Sequence, residues 1–174
     1  IEELQLAGAP IDGMGVAIVV ASVVLELGND HLKEAIVPKL LSGETLVSFG
    51  YTEPDSGSDV AAAQTRAVKD GDEWVINGQK MWITNGAQAD WMCLLANTNA
   101  DGATPAHARK TLICVPMDAA GVKVERTLDK LGMRCSDTAQ MRPSLTTRES
   151  EPWTRRPTAP PCMPSSSHRR RQSS

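Results

Sequence analysis

The sequence has no stretch of the roughly 20 consecutive apolar residues that a membrane-crossing helix needs. Its longest weakly polar run, Gly13 to Leu25, is shorter than that and ends at Glu26. No basic segment precedes the run and no small-residue cleavage site follows it, so it does not read as a secretory signal. Closely spaced metal ligands are also missing. Cys93, Cys114, Cys135 and Cys162 form no Cys-x-x-Cys pair, and His31, His107 and His168 lie far apart. A structural zinc site needs such pairs, so no metal is expected and the cysteines read as reduced thiols of a cytoplasmic protein. An excess of basic charge is absent too. Eighteen Lys and Arg against 21 Asp and Glu give a net charge of −3 over 174 residues, which argues against an electrostatic nucleic-acid binder.

What is present divides the chain unevenly. The length allows one sizeable domain, or one domain with pieces of another, and 41% hydrophobic residues suit a globular fold. Residues 1–140 hold 11 basic and 19 acidic side chains, whereas residues 141–174 hold 7 Arg and 2 Glu. These do not read as parts of one domain. The chain opens at Ile1 in mid-pattern, as a fragment or a processed product would.

Residues 14–27 carry Val16, Val19, Val20, Val23, Val24 and Leu27 at helical spacing. Their β-branching competes for a strand, but the length favours a helix. Gly28 and Asn29 supply a stop and a new start. Asp30 is placed to cap a second helix through Leu41, with Pro38 expected to kink or split it. Residues 1–45 thus read as a helical hairpin. From residue 46 the character changes, residues 63–69 alternate, and 90–96 form an apolar run. Strands are expected over 45–51, 63–69, 73–76, 80–84, 90–96, 111–115 and 121–126, with turns at Asp70-Gly71, Asn77-Gly78 and Asn85-Gly86. Crossover helices are missing. The fold class is therefore α+β: an N-terminal helical segment followed by an antiparallel β-barrel or sandwich over 46–140. Residues 141–174 read as a disordered basic tail. Of these 34 residues, 24 are Pro, Ser, Thr or Arg, and Leu145 alone represents Val, Ile, Leu and Phe. Such a segment buries too little apolar area to offset its ordering entropy.

Two clusters carry chemistry. The loop Tyr51-Thr-Glu-Pro-Asp-Ser-Gly-Ser-Asp59 gathers hydroxyls, backbone donors and Gly57, a composition that suits a phosphate or a carbonyl-rich ring but also an ordinary turn. In Lys80-Met-Trp-Ile-Thr-Asn85, Trp82 and Thr84 are two apart on a strand, which puts both on one face. A flat π surface beside a hydroxyl suits a planar heteroaromatic cofactor. A core Trp beside a strand Thr is the plainer alternative.

Taken in order, these pieces resemble the middle domain of the acyl-CoA dehydrogenase family. The matching segments are Thr52-Glu-Pro-Asp-Ser-Gly-Ser-Asp59, Asn77-Gly-Gln-Lys-Met-Trp-Ile-Thr-Asn-Gly86 and Lys130-Leu-Gly-Met-Arg-Cys-Ser-Asp-Thr138, and residues 30–45 resemble the helix that leads in. The resemblance implies a flavoenzyme with a helical N-terminal domain, a β-barrel middle domain and a helical C-terminal bundle. It implies FAD as cofactor, an acyl-CoA thioester as substrate, and oxidation of its α,β carbon–carbon bond. A base removes the α proton, the β hydride passes to the flavin, and electrons leave to an electron-transfer flavoprotein. Such enzymes form homo- or hetero-oligomers. Carried onto this chain, the FAD site would be lined by Phe49, Tyr51, Thr52, Gly57, Ser58, Trp82, Ile83 and Thr84. Thr52 would bond near the flavin ring, Trp82 would pack against it, Thr84 would bond near its N5, and Ser58 would touch both cofactor and acyl-CoA. The roles of Arg134, Ser136 and Asp137 stay open, including that of structuring a loop.

The family pattern should continue after Thr138 with one more strand and then the C-terminal helices. Here Gln140 is followed by Met-Arg-Pro-Ser-Leu-Thr-Thr-Arg148, and the match stops together with the composition shift. An altered reading frame is the simplest explanation. The family's catalytic base, a glutamate of the C-terminal bundle, has no counterpart in this chain, and Glu53 belongs to the loop. No catalytic residue is therefore assigned, and the chain alone is expected to be inactive. A subunit completed by a separate chain, and a non-catalytic flavin- or CoA-binding module, are the competing readings.

Overall fold

A computed structural model describes residues 2–8, 11–99, 105–134 and 136–148. Residues 149–174 of the basic tail expected over 141–174, with its Cys162, and Cys135 lie outside the described residues. Three helices come first: α1 (Glu2–Leu6), α2 (Asp12–Leu27) and α3 (Asp30–Leu41). The cap of α3 is Asn29 rather than Asp30: its side chain accepts from the Leu32 N–H at 2.8 Å. Pro38 does not split α3. It lies exposed, close to the C-terminal end of the helix, and the Ser42 N–H bonds its carbonyl at 3.0 Å. The hairpin closes on Val20, Ala21 and Val24 of α2 against Ile36, Val37 and Leu40 of α3, all buried. The opposite side of α2 stays bare, with Ile18, Val19 and Leu25 exposed.

Eight strands follow: β1 (Val47–Gly50), β2 (Arg66–Asp70), β3 (Glu73–Asn77), β4 (Lys80–Thr84), β5 (Trp91–Asn97), β6 (Lys110–Pro116), β7 (Val122–Thr127) and β8 (Thr138–Arg148). They form one curled sheet in the order β1-β5-β2-β3-β8-β4, with β6 added on β5 and β7 on β8. Strand β5 is apolar from Trp91 to Ala96 because both its faces are covered. Met92, Leu94 and Ala96 enter the core inside the curl, and Trp91 and Cys93 enter the core beneath the helices.

Three expectations are corrected. The sheet is mixed rather than antiparallel. β1 and β5 run parallel from Val47↔Trp91 to Gly50↔Leu94, and β2 touches β5 in the same sense. The long excursion between β1 and β5 gives the chain room to return in parallel. Second, Asn77-Gly78 does not reverse the chain. β3 pairs with Ser144–Arg148 and β4 with Thr138–Met141 of the same partner, and the Gly78 N–H bonds the Pro143 carbonyl between them at 3.0 Å. Gly78 serves a close approach, since a Cβ there would lie 2.2 Å from Thr65 Oγ1. Third, the sheet does not stop at residue 140. Residues 141–148 are the larger part of β8, which lies between β3/β4 and β7. Met141, Pro143, Leu145 and Thr147 point inward and alternate with exposed Arg142, Ser144 and Thr146. Disorder from 141 onward is overturned for these eight residues by that alternation. The Asp70-Gly71 hairpin forms as expected, with Gly71 at φ +60°.

Candidate functional site

The loop after β1 and the strand β4 are 30 residues apart in sequence, yet the fold fastens one to the other. The Met81 N–H donates to the Thr52 carbonyl at 2.9 Å. Lys80 Nζ donates to the Tyr51 carbonyl at 3.2 Å, to the Leu95 carbonyl at 2.9 Å and to Glu53 Oε1 at 2.9 Å. The Lys80 side chain is fully buried and that of Glu53 is 7% exposed. Glu53 also accepts from the N–H groups of Gln64 and Thr65 at 2.6 and 2.9 Å. Burial pushes the Glu53 carboxyl up, but bonds from Thr65, Gln64 and Lys80 outweigh it and hold the carboxyl below its usual range. Burial also draws the Lys80 ammonium down, against the pull of Glu53. This ion pair was not foreseen as part of the site. Its sequence signal is phase: counting by two from buried Ile76 through Gly78 points Lys80 inward.

Beyond the ion pair the loop turns tightly. Glu53 and Ser56 exchange main-chain bonds at 2.8 and 3.1 Å. Ser56 Oγ is buried and has no hydrogen-bond partner among the described residues. Gly57 and Ser58 are exposed, and a Cβ on Gly57 would meet nothing within 4 Å. Phe49 and Tyr51 stack edge to face, centroids 4.4 Å apart, and pack against the core beneath the helices. There burial, and then the neighbouring Cys93 thiol, push the Tyr51 phenol well above its usual range.

On β4 an extra residue is accommodated between Lys80 and Ile83. Trp82 sits at this bulge with φ +63°, the left-handed region that a bulky side chain rarely enters. Its ring is 58% exposed. Ile83 is buried in the sheet core, so only its main chain faces outward, and Thr84 is half-buried. Trp82 and Thr84 thus both lie off the core that Ile83 enters.

The third motif fastens the turn that follows β4. The Asn85 N–H donates to the Asp137 carbonyl at 3.0 Å and the Ala87 N–H to Asp137 Oδ2 at 2.5 Å. Asn85 itself has φ +60° and donates through Nδ2 to the Val47 carbonyl at 3.2 Å. Lys130 Nζ holds the Ser136 carbonyl at 2.7 Å, and Arg134 pairs with Asp129 in solvent at 2.6 Å. Asp137 and Lys130 therefore structure a loop. Among the described residues no group of His, Cys, Asp and Glu is arranged to hold a metal ion. None of the helices there is long and apolar enough to cross a membrane.

The pinned Ser/Gly loop, the exposed, strained Trp82 and the half-buried Thr84 hydroxyl all belong to one curled β domain. A family profile described as acyl-CoA dehydrogenase, middle domain, matches residues 48–144. The chain belongs to the acyl-CoA dehydrogenase family. It is 40% identical over 114 residues to the mitochondrial isovaleryl-CoA dehydrogenase of Pongo abelii, covering 66% of this chain and 27% of that protein. It is 41% identical over 121 residues to a glutaryl-CoA dehydrogenase of Desulfococcus multivorans, covering 70% and 30%. The crystal structure of a glutaryl-CoA dehydrogenase from Mycobacterium smegmatis in complex with FADH2 superposes with a TM-score of 0.67 at 32% identity, covering 75% of this chain and 32% of that one. The chain spans less than a third of the length of these curated relatives.

Proposed function

We propose that this chain supplies the flavin-facing half of an acyl-CoA dehydrogenase site. FAD would be held by Phe49, Tyr51, Thr52, Gly57, Ser58, Trp82, Ile83 and Thr84, with the acyl-CoA thioester reaching Ser58. The observation that carries this reading is Trp82. A tryptophan at φ +63° costs on the order of 1–2 kcal/mol, and with its ring 58% exposed little burial offsets that cost. Two further features fit a ligand. Ser56 Oγ is an orphaned buried hydroxyl at the loop's turn, and Gly57 answers no packing need among the described residues. A flat ring edged with carbonyls and nitrogens would use the indole face, the Thr84 and Thr52 hydroxyls and the main chain of 57–58.

When bound, FAD supplies the hydride acceptor for the α,β bond of an acyl thioester. The residues of this chain bind and orient. Lys80 and Glu53 hold the loop at a fixed distance from β4, and positioning of this kind governs how well reacting groups align. Glu53 does not serve as a base: it is buried, kept ionised, and occupied by three donors. With no base assigned among the described residues, they supply none of the roughly 10²–10⁴-fold that general-base catalysis is worth, and no dehydrogenation is expected from this chain alone. The bare apolar side of α2 favours a second form of the same reading, in which a separate chain or a second copy covers Ile18, Val19 and Leu25 and completes the site. Electron-transfer flavoprotein would then take the electrons, in a cytoplasmic setting that suits reduced thiols.

The test is to mix the purified chain with FAD, desalt it, and record the visible flavin band. Retention of the band, with no anaerobic bleaching by an acyl-CoA until a complementing chain is added, is the expected result. A desalted protein without flavin would count against the reading.

A further inference from the structure

Cys93 on β5 and Cys114 on β6 are direct cross-strand partners in an unbroken antiparallel register. The hydrogen-bond phase of that ladder is set at both ends. The Met117 N–H bonds the Asp90 carbonyl and the Thr98 N–H bonds the Arg109 carbonyl, each at 2.9 Å. Hydrogen-bonded pairs therefore fall on the even positions of β5. Trp91↔Pro116 falls on the alternate, non-bonded positions, as a residue without an N–H requires, and so does Cys93↔Cys114. Cα atoms of such pairs are about 4.5 Å apart, with the side chains on one face and close together. That lies within the roughly 4.4–6.8 Å span that a disulfide bridges. Both thiols are free.

Their surroundings differ in a useful way. Both line a cavity of about 300 Å³ between the helical hairpin and the sheet, bounded by Val23, Leu27, Leu32 and Trp74. Cys93 is buried and Cys114 partly accessible. We infer that Cys93 and Cys114 form a reactive dithiol, a modification site that small-molecule disulfides of the glutathione class convert to a cross-strand disulfide. The Cys114 thiolate attacks one sulfur of the small disulfide. That bond breaks, a mixed disulfide forms on Cys114, and one small thiolate leaves. The Cys93 thiolate then attacks the Cys114 sulfur, closing the Cys93–Cys114 bond and expelling the second small thiolate. The two protein thiols are oxidised, the small disulfide is reduced to two thiols, and the two protons released pass to them. The order of attack follows accessibility. It agrees with the thiol–thiol hydrogen bond, which lowers Cys114 while raising Cys93. Tyr51, in contact with Cys93, ties the pair to the start of the loop that holds the proposed flavin site.

The experiment uses the full chain with Cys135→Ser and Cys162→Ser, so that only the two thiols remain. The folded protein is incubated with oxidised glutathione, quenched in acid, digested without reductant and analysed by mass. A peptide pair joined through Cys93 and Cys114, with loss of both titratable thiols and of two hydrogens from the intact mass, is expected. Adding Cys93→Ser should trap the glutathione adduct on Cys114. An adduct that persists on Cys114 with Cys93 unmodified, or no reaction until urea is added, overturns the inference. Should the Cys93→Ser chain not fold, dibromobimane on the two-thiol protein decides instead, because it fluoresces strongly only when it bridges both sulfurs. Absence of that signal in the folded state overturns the inference too.

Discussion

Replacing Lys80 by methionine is the sharpest perturbation the structure offers. The side chain is of similar length and apolar, so packing volume is kept while the charge is removed. Three bonds go with it: 2.9 Å to Glu53 Oε1, 2.9 Å to the Leu95 carbonyl and 3.2 Å to the Tyr51 carbonyl. Glu53 is left as a buried carboxylate with only the two N–H donors of Gln64 and Thr65. Removing one partner of a buried ion pair typically costs about 3–5 kcal/mol, because the remaining charge is uncompensated. For a domain whose whole stability is on the order of 5–15 kcal/mol, that is a large share. The assay is urea unfolding followed by tryptophan fluorescence. The double variant Glu53→Gln/Lys80→Met removes both charges, and it should regain at least about 1 kcal/mol over Lys80→Met. A cost for Lys80→Met below about 1 kcal/mol, the range of an exposed pair, would refute the reasoning that this bond holds the loop to β4.

Other outcomes follow from single residues. Trp82→Gly removes a strained φ of +63° at an exposed site. Its stability by urea melt should stay within about 1 kcal/mol of the parent or exceed it, since relief of strain of roughly 1–2 kcal/mol opposes the entropy cost of glycine. Leu145→Ala, at a buried position of β8, should cost about 2–5 kcal/mol, and a change near zero in the same melt would restore the boundary at 140. Glu53 has a folded pKa below its ordinary 4.5. Its stabilising contribution is therefore complete above about pH 4.5 and is lost as pH falls through the lower folded value. Urea midpoints measured down that range should drop for the parent and flatten for Glu53→Gln.

Much of the fold was legible because period is a local signal. The valine stripe of α2, the alternation over residues 63–69 and the apolar run of β5 each declare an element within a few residues. Pairing is not local. The parallel contact of β1 with β5 joins Val47 to Trp91, and no turn motif at either end announces it. Asn77-Gly78 misled because the same dipeptide serves a hairpin and a close approach, and only the position of Thr65 separates the two. The opening of the tail misled through averaging. Composition over 34 residues hid four inward positions in a row of alternates, from Met141 to Thr147. At the site, Trp82 and Thr84 could be singled out by spacing alone. The ion pair of Lys80 with Glu53 could not, because a lysine just after an Asn-Gly turn signal reads as surface until the strand's phase and the loop's return are both known.

If the pinned loop and Trp82 form a flavin surface, a titration of FAD fluorescence reads it out. FAD at fixed concentration is titrated with the parent chain and with Trp82→Ala. Saturable quenching is expected for the parent, with an affinity roughly two- to thirteenfold weaker for Trp82→Ala, the loss expected from one aromatic stacking contact of about 0.5–1.5 kcal/mol. Quenching that never saturates, or equal affinity for the two proteins, would contradict it.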